Sequence, residues 1–473
     1  MITKTRIVAS IGPASNDKNI LLDMIKAGMN VARLNFSHGS YQGKLEVLAH
    51  LRELQEETGL HISVIGDLQG PKLRLGALPD DGIRIKNGET VHFTTNPDKT
   101  GESVYLVNYD SFARDVKPGD RILIDDGTIK LEATKTNRND SVEAKVLSGG
   151  TLLSKKGINL PDSSLSLPAI TNKDKEDIKF AVKNKIDWFA LSFVRSSKDI
   201  RELRAHLDDC HCNARIIAKI EKPEAVEDID AITDAADGIM VARGDLGVEV
   251  DFKKVPIIQK HIVKLCIQKA KPVIIATQML DSMIHNFRPT RAEANDVANA
   301  VMDMADGLML SGETAIGKYP VGSVESMQSI IEYTEQEGLE YNLNHPPPPD
   351  TKAFIPDSVC YNAFKMAQQT SAKAIITFSY SGYTALRISS HRPRSPIYAF
   401  TSNKKLLKKL PLIWGINAFY FPVYNDIDKA ISHSINVLKE KGILSAGGKV
   451  IHVGSTPLTS KSHTNMMKFS EVT

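Results

Sequence analysis

Two apolar runs near the middle of the chain end in residues suited to phosphate chemistry. Ile216-Ile217-Ala218-Lys219-Ile220-Glu221 closes on an ammonium and a carboxylate. Gly238-Ile239-Met240-Val241-Ala242-Arg243-Gly244-Asp245 closes on a guanidinium and a second carboxylate. Each reads as a buried strand whose last residues emerge into a loop. Two carboxylates and an ammonium delivered from neighbouring strand ends can hold a hard divalent cation and a phosphate together. That points to an enzyme, and to phosphoryl or enolate chemistry in particular.

Positioning such groups takes a scaffold, and the chain has room for one. At 473 residues it is too long for a single core, and about three domains are expected. Apolar runs rich in Ile and Val recur near residues 6–11, 31–36, 62–67, 188–193, 215–220, 239–243, 273–277 and 308–311. Helical patterns lie between most of them, for example from Asn19 to Ala27 and from Asp174 to Lys183. Another helix opens after Pro289, with Thr290 and Glu293 spaced as a capping box. Eight continuous apolar strands alternating with helices fit a closed parallel (β/α)8 barrel better than an open sheet.

One long gap follows Asp67. Its residues change to period-2 runs such as Arg121-Ile122-Leu123-Ile124 and Thr128-Ile129-Lys130-Leu131, joined by Asp126-Gly127 as a tight turn. The gap therefore reads as a small β-barrel-like domain inserted after the third barrel strand. Pro346-Pro347-Pro348-Pro349 is a stiff linker, and beyond it the strands Ala374–Phe378, Pro396–Phe400 and Lys449–Val453 alternate with helices. The predicted organisation is an α/β barrel over 1–70 and 169–345, an inserted β-rich lid over 71–168, and a C-terminal α/β regulatory domain over 346–473.

The net charge of +3 is too small to imply nucleic acid or an anionic membrane as partner. No run has the length or pattern of a membrane span or a signal segment. The four cysteines form no disulfide framework at this length, which suggests a reducing, cytoplasmic compartment. Cys210-His211-Cys212 lacks a second ligand pair at zinc spacing and reads as an ordinary helix end or loop.

In barrel enzymes the active site lies at the C-terminal ends of the strands. Reading those ends in order gives Arg33, Asn35 and Ser37; Asp67; Ser192; Lys219 and Glu221; Arg243 and Asp245; Thr277; Ser311 and Glu313. Any soluble barrel puts polar residues there, and Ser192 taken alone reads as one of these. Cations, carboxylates and small hydroxyls converging from seven strands are a more specific signal. The stretch from Gly312 to Tyr319 nearly spells a phosphate-binding P-loop, but Tyr319 stands where the metal-binding hydroxyl belongs.

The runs MNVARLNFSHGSY, GDLQGPKLR, KGINLP, AKIEKPEAVEDID, MVARGDLGVE, ATQMLDSM, PTRAEANDVANAV and MLSGETAIGKYP resemble pyruvate kinase. The match runs through the barrel and insertion in order, and more loosely through the C-terminal domain. The resemblance implies transfer of the phosphoryl group of phosphoenolpyruvate to ADP, giving pyruvate and ATP. It also implies allosteric control and a cytoplasmic homotetramer. By motif position Glu221 and Asp245 match the ligands of Mg2+, for which Mn2+ can substitute. Lys219 matches the lysine at the transferring phosphoryl, and Arg33 the residue clamping the same phosphate. Thr277 matches a residue beside the enolate; Ser311 and Glu313 match a network serving its protonation. Arg243 and Gly244 shape the backbone around the substrate carboxylate. Asn35, His38, Arg74 and Lys156 meet the nucleotide, Lys156 being carried by the lid.

The chain departs from many relatives at one place. Their K+ is held by oxygens matching Asn35, Ser37, Asp67 and the Leu68 carbonyl, followed by a glutamate that is Lys72 here. The resemblance is therefore to the K+-independent, lysine-containing branch. A tethered ammonium at Lys72 is expected to replace the ion, leaving K+ unnecessary and its site vestigial.

Ser379-Tyr380-Ser381-Gly382-Tyr383-Thr384 follows a strand and precedes a helical pattern, which suits either a phosphate or a plain turn. The family's sugar-phosphate effector binds at the matching loop, so Ser379, Ser381, Gly382 and Thr384 are expected to bind a monophosphate, either a sugar phosphate or AMP. Gly454–Pro457 and Ser460–Asn465 resemble the family's effector loop. Two other readings stay open: a Mg2+-dependent lyase or aldolase forming a pyruvate enolate, which needs no nucleotide, and a binding or scaffold protein, which leaves the charged strand ends without a purpose.

Overall fold

A computed structural model describes residues 3–422, 426–458 and 463–473. Eight parallel strands close into a barrel: Arg6–Ser10, Met29–Asn35, Ser63–Asp67, Trp188–Leu191, Arg215–Ile220, Gly238–Ala242, Val273–Ala276 and Gly307–Leu310. The first strand pairs with the second and the eighth, and each other strand pairs with its sequence neighbours. Strands covered by helices outside and packed on each other inside are buried on both faces, which explains their unbroken apolar composition. Every residue of the third, fourth, sixth, seventh and eighth strands is buried.

The helices sit where capping chemistry and periodicity place them. Lys18–Lys26 starts one residue before the expected span because Asp17 accepts from the backbone of Asn19 and Ile20. Asn172–Lys183 starts two residues early because Thr171 and Asp174 form a capping box. The Thr290–Glu293 box opens Arg291–Met302. Cys210 ends the helix Ser197–Asp209.

Between the third and fourth barrel strands lies a β module with a six-stranded sheet, a two-stranded sheet and its own apolar core. Two buried links hold it to the barrel rim. Arg195 donates to the carbonyls of Leu165 and Leu167 at 2.9 and 2.7 Å. Asn159 donates to Glu249 at 2.8 Å, and Glu249 also pairs with Lys222 at 2.6 Å. Glu249 closes the helix that carries Asp245, and Lys222 follows Glu221, so the module is tied to both candidate metal carboxylates.

The C-terminal unit is a five-stranded sheet with strand order Ile416–Tyr420, Ile397–Thr401, Ala374–Phe378, Lys449–Gly454 and Met466–Glu471. The two outer strands are absent from the sequence reading. Met466–Glu471 is an edge strand with mostly exposed side chains, and Ile416–Tyr420 buries only its first residue, so neither carries a hydrophobic alternation to read. The segment around Leu406–Ile413 packs beneath the barrel floor in one core with Val8, Ile65, Trp188 and Ile274. A buried ion pair fastens this contact: Arg392 meets Asp306 at 2.7 Å, and Asp306 accepts from the Trp414 amide at 3.1 Å. No described helix is long and apolar enough to cross a membrane.

Candidate active site

The C-terminal ends of the strands deliver one connected cluster. The Lys219 ammonium, only 12 % exposed, lies 2.7 Å from the Ser192 hydroxyl, 2.9 Å from Glu221 Oε1 and 3.3 Å from Asp67 Oδ1. The other Asp67 oxygen accepts from Arg33 Nε at 2.7 Å, and Arg33 also donates to Ser10 Oγ at 2.7 Å. Three strands thus present two cations around one buried carboxylate.

Each charge is stabilised by the others. Burial opposes ionisation of Asp67, but Lys219 and Arg33 outweigh it and hold the carboxyl below its ordinary range. Burial likewise opposes the Lys219 ammonium, and Asp67 and Glu221 reverse that effect, so its pKa lies above the usual lysine value. Glu221 is pushed up, first by burial and then by the nearby Asp245, with Lys219 opposing. A carboxylate beside a second carboxylate, in a site that penalises its charge, is a site that a divalent cation relieves.

Glu221 and Asp245 fit that role. Glu221 Oε2 accepts from the Phe193 amide at 2.6 Å; Oε1 faces Lys219 as an ion pair without an aligned hydrogen bond. Asp245 is half-buried, and the Lys72 ammonium lies 3.8 Å from its carboxylate. Among the described residues no three His, Cys, Asp or Glu side chains converge on one point, so the chain supplies two carboxylates and leaves other coordination positions to substrate or water.

Further round the rim, Thr277 adopts a left-handed backbone with φ 70°, unusual for a β-branched residue. Its Oγ accepts from the Gly244 amide at 2.7 Å and donates to the Ala276 carbonyl at 2.6 Å. A Cβ on Gly244 would sit 3.3 Å from that oxygen. Arg243 turns away from the centre to Asp296 at 2.7 Å and the Thr277 carbonyl at 2.9 Å. Glu313, its pKa raised by burial, accepts from the amides of Leu280 and Ser311 at 3.1 and 2.7 Å. Ser311 Oγ is buried with no hydrogen-bond partner among the described residues.

Three of the oxygens at the positions expected for a monovalent-cation site are engaged by protein donors. Asn35 Oδ1 accepts from Ser37 N at 2.9 Å, the Leu68 carbonyl from Ser192 at 2.7 Å, and Asp67 from Arg33 and Lys219. His38 has a lowered pKa, through partial burial and then through Arg74, Lys44, Lys72 and Arg33, which marks a shared cationic cleft. Arg74 donates to the Lys155 carbonyl at 2.9 Å, while Lys156 pairs with Asp125 on the lid at 2.7 Å.

Ser192 reads as ordinary rim polarity by itself, yet it braces Lys219 against the Leu68 carbonyl. Ser10, Phe193, Lys222 and Glu249 also went unread. Ser10 is the last residue of its strand, which is the one signal that pointed to it. The amide of Phe193 and the buried Lys222–Glu249 pair depend on tertiary placement alone.

In the C-terminal unit a cavity of about 530 Å³ is lined by Ser379, Ser381 and Thr384, with Lys352, Ser455, His463 and Thr464. Thr384 and Thr464 share a hydroxyl–hydroxyl bond of 2.7 Å. Gly382 takes φ 91°, and a Cβ there would lie 2.9 Å from Leu406, so the loop requires glycine. Residues 460–462 of the closing stretch lie outside the described residues.

Residues 2–324 match the family model described as pyruvate kinase, barrel domain, and residues 357–469 match its alpha/beta domain. A pyruvate kinase of Corynebacterium glutamicum is 40% identical over 467 residues, covering 99% of this chain and 97% of that protein. One from Geobacillus stearothermophilus is 40% identical over 470 residues, covering 99% and 80%. The crystal structure of a pyruvate kinase from Cryptosporidium parvum superposes with a TM-score of 0.93 at 34% identity, covering 100% and 96%.

Proposed function

Because the chain belongs to the pyruvate kinase family, we propose that the rim of Arg33, Asp67, Ser192, Lys219 and Glu221 carries phosphoryl transfer from phosphoenolpyruvate to ADP, giving pyruvate and ATP. The observation that carries this reading is the Lys219 ammonium held between Asp67 at 3.3 Å and Glu221 at 2.9 Å. Its charge faces the cleft from a fixed position, so neutralising the equatorial oxygens of a loose transition state needs little reorganisation. Arg33, braced by Ser10 and Asp67, presents its remaining donors to the same phosphate.

Glu221 and Asp245 would hold Mg2+, or Mn2+ in its place. The ion supplies charge neutralisation at the phosphoryl and enolate oxygens when bound. Thr277 and Gly244 orient the substrate carboxylate, Arg243 stiffening that turn from behind. Ser311 and Glu313 hold the polar group that protonates the enolate. Asn35, His38 and Arg74 meet the nucleotide phosphates, and Lys156 joins them when the lid over 71–168 swings on its hinge.

Lys72 takes over the electrostatic role of K+. Its ammonium stands 3.8 Å from Asp245, and the oxygens of Asn35, Asp67 and Leu68 are already engaged. The loop of Ser379, Ser381, Gly382 and Thr384 binds a monophosphate, sugar phosphate or AMP, in the 530 Å³ cavity. Phe252, Phe287 and Ile316 on the barrel unit and Phe469 on the C-terminal edge strand stand exposed, which supports self-association into a homotetramer. The four free cysteines support a cytoplasmic location.

A coupled assay of pyruvate formation tests the reaction. Turnover requires phosphoenolpyruvate, ADP and a divalent metal together; release of pyruvate without ADP would favour the enolate-forming lyase instead. A mass measurement in solution tests the tetramer.

A further inference from the structure

A second basic groove lies where the floor of the barrel meets the C-terminal unit, away from the catalytic rim and backing onto the 530 Å³ cavity through Ser381 and Tyr383. Two adjoining hollows of about 400 and 340 Å³ share Arg215, Asp237 and Ser381. Each is the size of a small-ligand pocket. Their walls carry seven cationic side chains against two carboxylates, Asp208 and Asp237. Asp237 is committed to Arg204, Lys269 pairs with Asp230 and Asp234, and Arg387 pairs with Asp357, which leaves Arg215, Lys271, Lys405 and Lys409 in excess.

Three of those cations, Arg215, Lys271 and Lys409, are held by neutral groups. Arg215 reaches the Ser381 carbonyl at 3.3 Å and lies over the Trp188 ring at 5.4 Å. Lys271 donates to the Ala236 carbonyl at 2.6 Å, and Lys409 to the Asn213 carbonyl. Among the described residues none of Arg215, Lys271, Lys405 and Lys409 has a carboxylate partner within 4 Å. Burial lowers the pKa of Arg215, Lys271 and Lys409; Arg215 lowers both lysines further, Arg204 does the same to Arg215, and Asp237 opposes in each case. Crowded, partly desolvated cations that repel one another raise the energy of the fold, and a multivalent anion relieves all of them together.

We propose that this groove is a second anion site, and that it takes a small phosphate ester bound by Arg215, Lys271, Lys405 and Lys409. Ser381 and Tyr383 add polar groups for the rest of the ligand. The floor of the groove is the first residue of the strand that ends in Lys219 and Glu221, and its wall is the far side of the loop that lines the 530 Å³ cavity. The ester therefore binds between the catalytic strand and the effector loop, sharing Ser381 and Tyr383 with the wall of the 530 Å³ cavity.

Residue-resolved acylation of lysines, read by mass spectrometry on the full chain, tests this directly. Glycerol 3-phosphate at millimolar concentration should protect Lys405, Lys409 and Lys271 relative to chloride of equal ionic strength, and at about tenfold lower concentration than inorganic phosphate. Protection should persist in Thr384→Ala and vanish in Arg215→Gln. Lys405→Gln, an exposed change that leaves the fold intact, should remove protection of Lys409 and Lys271 as well. Protection no better than chloride, or protection lost in Thr384→Ala, would overturn the site. Equal or stronger protection by inorganic phosphate would overturn the ester assignment.

Discussion

The Lys219 ammonium near the end of the fifth barrel strand and the Glu221 carboxylate one residue past it meet at 2.9 Å over the mouth of the barrel. Successive strand residues point to opposite faces, so the i, i+2 spacing sends both side chains into the cleft. The ion pair, with Ser192 and Asp67 beside Lys219 and the Phe193 amide on Glu221, keeps two buried charges satisfied, and its location is where phosphate and metal are proposed to meet.

Metal binding is checked without turnover by the free Mn2+ signal in electron paramagnetic resonance. Glu221→Gln and Asp245→Asn should each weaken Mn2+ binding by about tenfold or more, since each removes a charged hard ligand. Glu313→Gln, which alters a carboxylate held by the amides of Leu280 and Ser311, should leave it unchanged.

The proposed monovalent-cation independence rests on Lys72. With tetramethylammonium as the sole monovalent cation, activity should stay within about twofold of that in K+, because the tethered charge replaces the ion. Lys72→Glu should create a K+ requirement. Negligible activity restored many-fold by K+ in the unaltered protein would remove Lys72 from this role.

The proposed effector control rests on the loop at the 530 Å³ cavity. Thr384→Ala breaks the Thr384–Thr464 hydroxyl bond and should abolish activation by a sugar phosphate or AMP, with basal turnover preserved. Unchanged activation by every such ligand would move the effector site elsewhere.

Asp187 sets a pH dependence of stability. It is 7 % exposed and accepts from the Val64 amide at 2.9 Å, and burial raises its pKa to about 7, with that amide and Lys408 and Lys409 opposing. A raised carboxyl pKa means the folded chain holds the proton longer than the unfolded one. Below about pH 4 both states are protonated and no penalty exists; between about pH 4 and 7 the penalty grows, to about 4 kcal/mol at most. Asp187→Asn should match the unaltered protein near pH 4 and melt at a higher temperature above pH 7. An identical pH profile for the two would refute it.

The barrel was legible because buried parallel strands carry continuous apolar runs, and each run ends abruptly in the polar residue that the rim uses. Lys219, Glu221, Arg33 and Asp67 each lie at such an end, and the structure joins them in one cluster. The bracing by Ser192 and the link through Asn159, Glu249 and Lys222 were not legible. Their partners lie 27 and 90 residues apart in sequence, and a lone polar residue carries no periodic signal. The outer strands of the C-terminal sheet escaped for a related reason: an edge strand exposed to solvent has little apolar pattern to offer.

The kinetics of Lys219→Met test the central claim most directly. The change keeps the side chain's volume and removes the charge that Asp67 and Glu221 hold over the cleft. If that charge stabilises the transferring phosphoryl, kcat should fall about a thousandfold or more while KM for phosphoenolpyruvate changes little. A folded Lys219→Met protein with near-normal kcat would contradict the account.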